Sequence, residues 1–284
     1  MAQQFPRTTV GGVSISRMVI GTNWMLGYSH RSPAADKHIR RRHNTPDSMA
    51  DIMETFLRSG VDTILGPFGG NSLAIDAIKM AEDRVGRGMI IMDTPIINVD
   101  DTKEGRSEAL RTIMESKQNG ATFCMPHHVS VEQLLDKHQQ AIPRLSDYLS
   151  MIREQGMLPG LSAHMPEVVI YSDMHDYDVE TYIQIYNCMG FLMQVEVEFI
   201  HRVIHNAKKP VIAIKPMAAG RCTPFVGLTF SYNTIRDCDA VCLGCLTEQE
   251  AEEDIEIGLA ALERRAPRLQ GRDSPGKSQS SIIE

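Results

Sequence analysis

The feature that most constrains this chain is a repeated alternation of short apolar runs with longer amphipathic stretches. Residues 13–23 (VSISRMVIGTN), 61–65, 89–94, 121–125, 160–162, 181–186, 211–214 and 240–243 read as strands. Most of their positions are apolar, the pattern of strands covered on both faces. Between them the sequence predicts helices over 46–59, 71–85, 102–117, 131–155 (kinked or broken at Pro143), 194–206 and 248–265. Thr45 and Thr247 stand as N-caps, Pro46 takes a first helical position and Gly60 a helix end. Such alternation builds a parallel sheet, and about eight repeats favour closure into an α/β (β/α)8 barrel (a TIM barrel). A doubly wound open sheet is the alternative, and the missing GxGxxG turn after the first strand weighs against it. One domain over residues 1–265 is expected, followed by a polar, disordered tail over 266–284.

With 29 Lys and Arg against 36 Asp and Glu, the net charge is -7, which gives no general attraction for nucleic acid or anionic membranes. No run of 18 apolar residues predicts a membrane span. The polar N-terminus does not read as a secretion signal. Six Cys without disulfide-like spacing suit a reducing cytoplasm. The expected partner is a small molecule; monomer and homo-oligomer both remain open.

In a barrel the chemistry collects where the strands end. Here those ends carry Asn23-Trp24, Pro67-Phe68, Asp93-Thr94, His127-His128, His164, residues 184–187, 215–221 and 244–247. A long segment over 25–44 holds His30, Arg31, His38, Arg40, Arg41, Arg42 and His43. As a lid it would draw a carboxylate or phosphorylated substrate; the plainer reading is a solvated basic loop. Trp24, His30, Arg31 and Gln184 are candidate substrate contacts. His127, His128 and His164, with Asp62 and Asp93 nearby, suit a divalent Zn or Mn ion that polarises a carbonyl or vicinal diol. Lys215 is either an imine-forming amine or, the expectation preferred here, an ion-pair partner of Asp62 or Asp93. Cys242 and Cys245, three apart in an extended segment, point to opposite faces and read as apolar filler.

Taken in order, these strand ends resemble those of the aldo-keto reductases. Residues 20–24 (IGTNW), 60–63 (GVDT), 160–164 (GLSAH), 184–187 (QIYN), 215–217 (KPM) with Gly220, and Gly244 before an acidic helix all follow that family's sequence of motifs. The resemblance implies carbonyl reduction with NAD(P) through an Asp, Tyr, Lys and His set. Asp62 matches the Asp and His127 or His128 the His. Pro67-Phe68 stands where the proton-donating Tyr belongs, and Asp93-Thr94 where the Lys belongs. Ser162, Gln184, Gly220 and Gly244 match positions that hold the nicotinamide nucleotide. The segment 247–254 (TEQEAEED) is acidic where many members place a cation for the 2′-phosphate, so NAD or no nucleotide is implied.

Three readings follow. The first is an isomerase, epimerase or lyase for a small polyhydroxy, carbohydrate-like or acidic carbonyl substrate, with Asp62, Asp93, His127 and Lys215 catalytic. The second is an NAD(P)-dependent oxidoreductase with a rearranged site, Tyr28 replacing the lost Tyr. The third is a barrel kept for binding alone.

Overall fold

Each apolar run condenses into a strand of two to four residues, and the first run divides into two. In the computed structural model, which describes residues 4–269, Arg7–Val10 (β1) and Val13–Ser16 (β2) form an antiparallel hairpin, and only Met18–Gly21 (β3) enters the main sheet. Gly11 and Gly12 make the hairpin turn with φ of 54° and 80°, values that glycine adopts without a side-chain clash. Val10 and Ile15 then pack against Val19, Met92, Phe123, Ile183 and Ile212, so the hairpin plugs the end where the strands begin.

The remaining strands are Thr63–Gly66 (β4), Ile90–Asp93 (β5), Phe123–Cys124 (β6), Leu158–Pro159 (β7), Leu161–Ala163 (β8), Tyr182–Ile185 (β9), Val211–Ile214 (β10) and Ala240–Leu243 (β11). They pair in parallel in the order β7-β6-β5-β4-β3-β11-β10-β9-β8. The two outermost strands are halves of one bent strand, the first paired with β6 and the second with β9. Gly160 makes the bend. A Cβ there would lie 2.7 Å from Met125 Cε and 3.0 Å from the Thr181 carbonyl oxygen. The sheet therefore comes round on itself, as the expected TIM barrel requires.

Outside it lie Asn23–Leu26 (α1), Pro33–Arg42 (α2), Pro46–Arg58 (α3), Ser72–Val85 (α4), Lys103–Gln118 (α5), His128–Val131 (α6), Leu145–Glu154 (α7), Glu167–Met174 (α8), Val197–Asn206 (α9), Pro224–Thr234 (α10) and Glu248–Glu263 (α11). The hydroxyls of Thr102, Thr223 and Thr247 accept from backbone N–H groups three residues on, each closing a helix start. Thr45 is an N-cap by position only; its side chain makes no capping bond.

Three expectations need correction. The predicted helix over 131–155 is α6, a 3-10 turn and a bridge between Asp136 and Ala141, with α7 starting only after Pro143. The long segment over 25–44 contains α2, capped by Ser32, rather than an open loop. Helices α8 and α10 went unpredicted because their apolar residues form no one-sided stripe. Of the expected tail, residues 266–269 follow α11 without regular structure and the rest lies outside the described residues. No described helix is long and apolar enough to cross a membrane.

Candidate functional site

The strands end around a cavity of about 960 Å³, wide enough for a small metabolite with its waters. Trp24, His30 and Arg31 reach it from the segment after β3. His127, His128, Ser162 and His164 reach it from the ends of β6 and β8, and Lys215, Gly220 and Arg221 from the turn after β10. Gly244, Glu250, Glu253 and Asp254 close the last side.

Two predicted carboxylates are not there. Asp62 precedes β4, at the opposite end of the barrel. Its carboxylate accepts from Arg7 at 2.8 Å and Arg87 at 2.7 Å, fastening the hairpin. It cannot serve the mouth, one strand length away, so its predicted catalytic role is corrected. Asp93 ends β5 but turns into the wall, where it is fully buried and accepts from the Phe68 N–H at 3.0 Å. Burial raises its pKa, with Ser116 and the Phe68 N–H opposing. It holds the turn at Pro67-Phe68 and does not line the cavity. Neither carboxylate pairs with Lys215, so the expected ion pair does not form.

Gln184, predicted for both substrate and cofactor, also misses the cavity. Ile183 faces the barrel interior, and alternation along β9 sends Gln184 outward. Its amide donates to the His164 carbonyl at 3.4 Å, and its Oε1 is buried without a partner.

The three predicted metal-ligating histidines do meet, but ring against ring. The His127 and His128 ring centroids lie 4.2 Å apart at a tilt of 46°, and the His128 and His164 rings stack 3.6 Å apart at 19°. Imidazole binds a metal through a lone pair in the ring plane, and the stacked His128 and His164 rings direct theirs past one another. Among the described residues no group of three His, Cys, Asp or Glu is arranged to hold a metal ion. Glu132 organises the stack. Its Oε1 accepts from the backbone N–H of His164 and Met165, and its Oε2 lies 3.4 Å from His128 Nδ1. Burial works against that carboxylate's charge, but these hydrogen bonds prevail and keep its pKa below the usual value. Its spacing four residues after His128, one helical turn, was the sequence signal for it.

Burial, with His128 and Lys215 adding to it, depresses the pKa of His127 to about 4. Burial and then Lys215 depress that of His164 to about 3. Both are neutral at physiological pH. His127 Nδ1 accepts weakly from the Val129 N–H, 3.4 Å away, which leaves the ring proton on Nε2. Burial likewise brings the Lys215 ammonium down to about 8.

The mouth carries both signs of charge. His30 and Arg31 come from the segment after β3, and Lys215 and Arg221 from the turn after β10. The Arg31 guanidinium comes within 3.8 Å of where a Cβ on Gly220 would be, joining the first lid to the β10 turn. Arg221 lies over the Phe191 ring at 3.8 Å and donates to the Ala218 carbonyl. Neither arginine forms an ion pair among the described residues. The other basic lid groups serve structure: Arg40 donates to the Gly27 carbonyl, while Arg42 and His43 contact the Leu246 carbonyl. Between these two segments, after β11, stand Glu250, Glu253 and Asp254. Burial, with Glu250 and Glu253 beside it, raises the Asp254 carboxyl to about 8. Cys242 faces the barrel interior and Cys245 the outer core, as their spacing implied.

The fit to a nicotinamide nucleotide is poor. Ser162, Gly220 and Gly244 line the cavity, but Gln184 is turned away, and the α11 side offers carboxyl groups where phosphates would need cations.

No protein-family model and no curated sequence matches this chain. Solved structures do. A Pseudomonas aeruginosa protein described as an aldo-keto reductase superposes with a TM-score of 0.63 at 12% identity, covering 92% of this chain and 97% of its own. The glycerol dehydrogenase of Gluconobacter oxydans superposes at 0.57 and 11% identity, covering 94% and 98%. The likeness to aldo-keto reductase structures is one of fold alone.

Proposed function

We propose that this protein is an enzyme of the isomerase or lyase type that moves a proton beside the carbonyl of a small anionic substrate. The observation that carries this reading is the mouth itself: Arg31 and Arg221, with no ion-pair partner among the described residues, share one cavity with two neutral imidazoles and an amine. Arg31 and Arg221 would take the anionic group, such as a carboxylate or phosphate. His127, with its proton on Nε2, would donate to the carbonyl oxygen as a neutral imidazole. His164, unprotonated, would accept the proton from the adjacent carbon. The polyhydroxy, carbohydrate-like substrates considered from sequence fit this scheme when they carry such an anion. A metal-assisted route lacks a ligand arrangement, and one through Asp62 or Asp93 lacks the geometry.

The test is solvent exchange. Hydroxypyruvate, glyceraldehyde 3-phosphate and dihydroxyacetone phosphate are each incubated with the protein in D2O, and loss of the C–H signal is followed by proton NMR. Protein-dependent exchange, lost in His164→Asn, is expected. No exchange from any of the three, together with quenching of Trp24 fluorescence by NADH, would overturn the proposal in favour of the NAD(P)-dependent alternative.

A further inference from the structure

We infer that Lys215 is a nucleophile that forms an imine with the carbonyl carbon of the substrate. This rests on the proposed reading of the mouth and names the covalent step within it.

Position comes first. Lys215 is the residue immediately after β10, where barrel side chains meet their ligands, and it lines the cavity. Its φ is +63°, a left-handed conformation that is strained for a non-glycine residue. The turn sustains that conformation because the Lys215 carbonyl accepts from the Ala218 N–H at 2.9 Å. A strained backbone at the head of a substrate cavity fits a side chain that must be held in one place.

Surroundings come second. A lysine kept for structure usually has a carboxylate beside it, and the sequence expectation was Asp62 or Asp93. One now lies at the far end of the barrel and the other inside the wall. The groups that face Lys215 are His30, His127 and His164 across the cavity and the Cys242 thiol below. A neutral imidazole carries no negative charge, and burial pushes the thiol up to about 12. Among the described residues no carboxylate pairs with the ammonium, and an unprotonated amine is accessible close to physiological pH.

The step balances without a co-reactant. The Nζ lone pair adds to the carbonyl carbon as the C–O π pair moves to oxygen. Counted from the ammonium, two of its protons leave with that oxygen as water, and the third stays on the iminium nitrogen. His127 and His164 are placed to relay those protons. The iminium then accepts the electron pair released when a neighbouring C–H or C–C bond breaks. Arg31 and Arg221 suit this chemistry to an aldehyde or ketone that bears a carboxylate or phosphate.

Pyruvate and glyceraldehyde 3-phosphate are the probes, each incubated with the full chain at pH 7 and cyanoborohydride, which reduces iminium ions in place. Peptide mapping then locates the adducts. Lowering an amine pKa from 10.5 to about 8 multiplies its unprotonated share by some two orders of magnitude, so labelling of Lys215 should exceed that of an exposed lysine about a hundredfold. Lys215→Arg, checked for folding by circular dichroism, should lose proton exchange by at least the same factor. Adducts spread evenly over the lysines overturn the inference. So does wild-type exchange without any Lys215 adduct, which leaves the proton-transfer reading standing. Neither adduct nor exchange overturns both.

Discussion

The two ends of this barrel treat charge in opposite ways. Where the strands begin, ionic groups are matched: Asp62 takes Arg7 and Arg87, and the fully buried Asp239 accepts from Arg236 and from the Val211 N–H. Arg17 donates to two carbonyls on the same loop. Where the strands end, Lys215, Arg31 and Arg221 have no carboxylate partner among the described residues, and two histidines are kept neutral. The two arginines are exposed and open to a ligand, while the half-buried Lys215 amine, left unmatched, costs stability and is better explained by a ligand than by the fold. The closed end reads as structure and the open end as the place of reaction.

The sharpest way to break that contrast is Lys215→Met. Turnover in the exchange assay should fall by about two to four orders of magnitude, the usual worth of an essential proton-transfer or nucleophilic group. The melting temperature should hold or rise, because an unpaired, partly desolvated amine is removed. A large fall in melting temperature with exchange intact would place Lys215 with the structural charges instead. His164→Asn should cost about a hundredfold in exchange. Since burial keeps both mouth histidines neutral, the wild-type rate should show no histidine inflection between about pH 5 and 7; an inflection near 6.5 that vanishes in His164→Asn would contradict their neutrality.

Stability should also respond to pH at the mouth, in two directions. The depressed His127 and His164 bind fewer protons folded than unfolded. Their contribution is present above about 6.5 and is lost as pH falls towards 4. Asp254 has a raised folded pKa, so its contribution is complete below about 4 and is lost as pH rises through about 8. Asp254→Asn should therefore stabilise the protein at pH 8 relative to pH 5, by roughly 2–4 kcal/mol. Chemical denaturation at both values checks this, and an unchanged difference would show that Asp254 is ionised in the folded state. The smallest effect belongs to the closed end. Asp62→Asn should cost about 1–3 kcal/mol, as expected for charge-assisted hydrogen bonds, with exchange activity unaltered. An activity loss beyond the stability loss would restore the role that the GVDT motif suggested.

Much of the scaffold is legible locally. Residues 211–214 and 240–243 are strands exactly as far as their apolar runs extend, and Thr102 and Thr247 cap as their hydroxyls allow. Helix α10 (PFVGLTFSYNT) was not legible, because its glycine, aromatic and β-branched residues carry no helical stripe. The hairpin plug was hidden because residues 13–23 read as one strand, although the chain reverses at Gly11-Gly12 and breaks again at Arg17.

By itself the sequence determined the alternation that makes a barrel, the strand ends that form its mouth, and the absence of a tyrosine and a lysine where the resembling family keeps them. Those are properties of composition and order along the chain. Only the tertiary structure decided that Asp62 lies below its strand, that Gln184 turns outward, that the histidines pack ring against ring rather than converge, and that Lys215 has no carboxylate partner among the described residues. Each depends on where a strand begins, since a shift of one residue exchanges inside for outside, and on which distant groups share a cavity. Local sequence carries neither quantity.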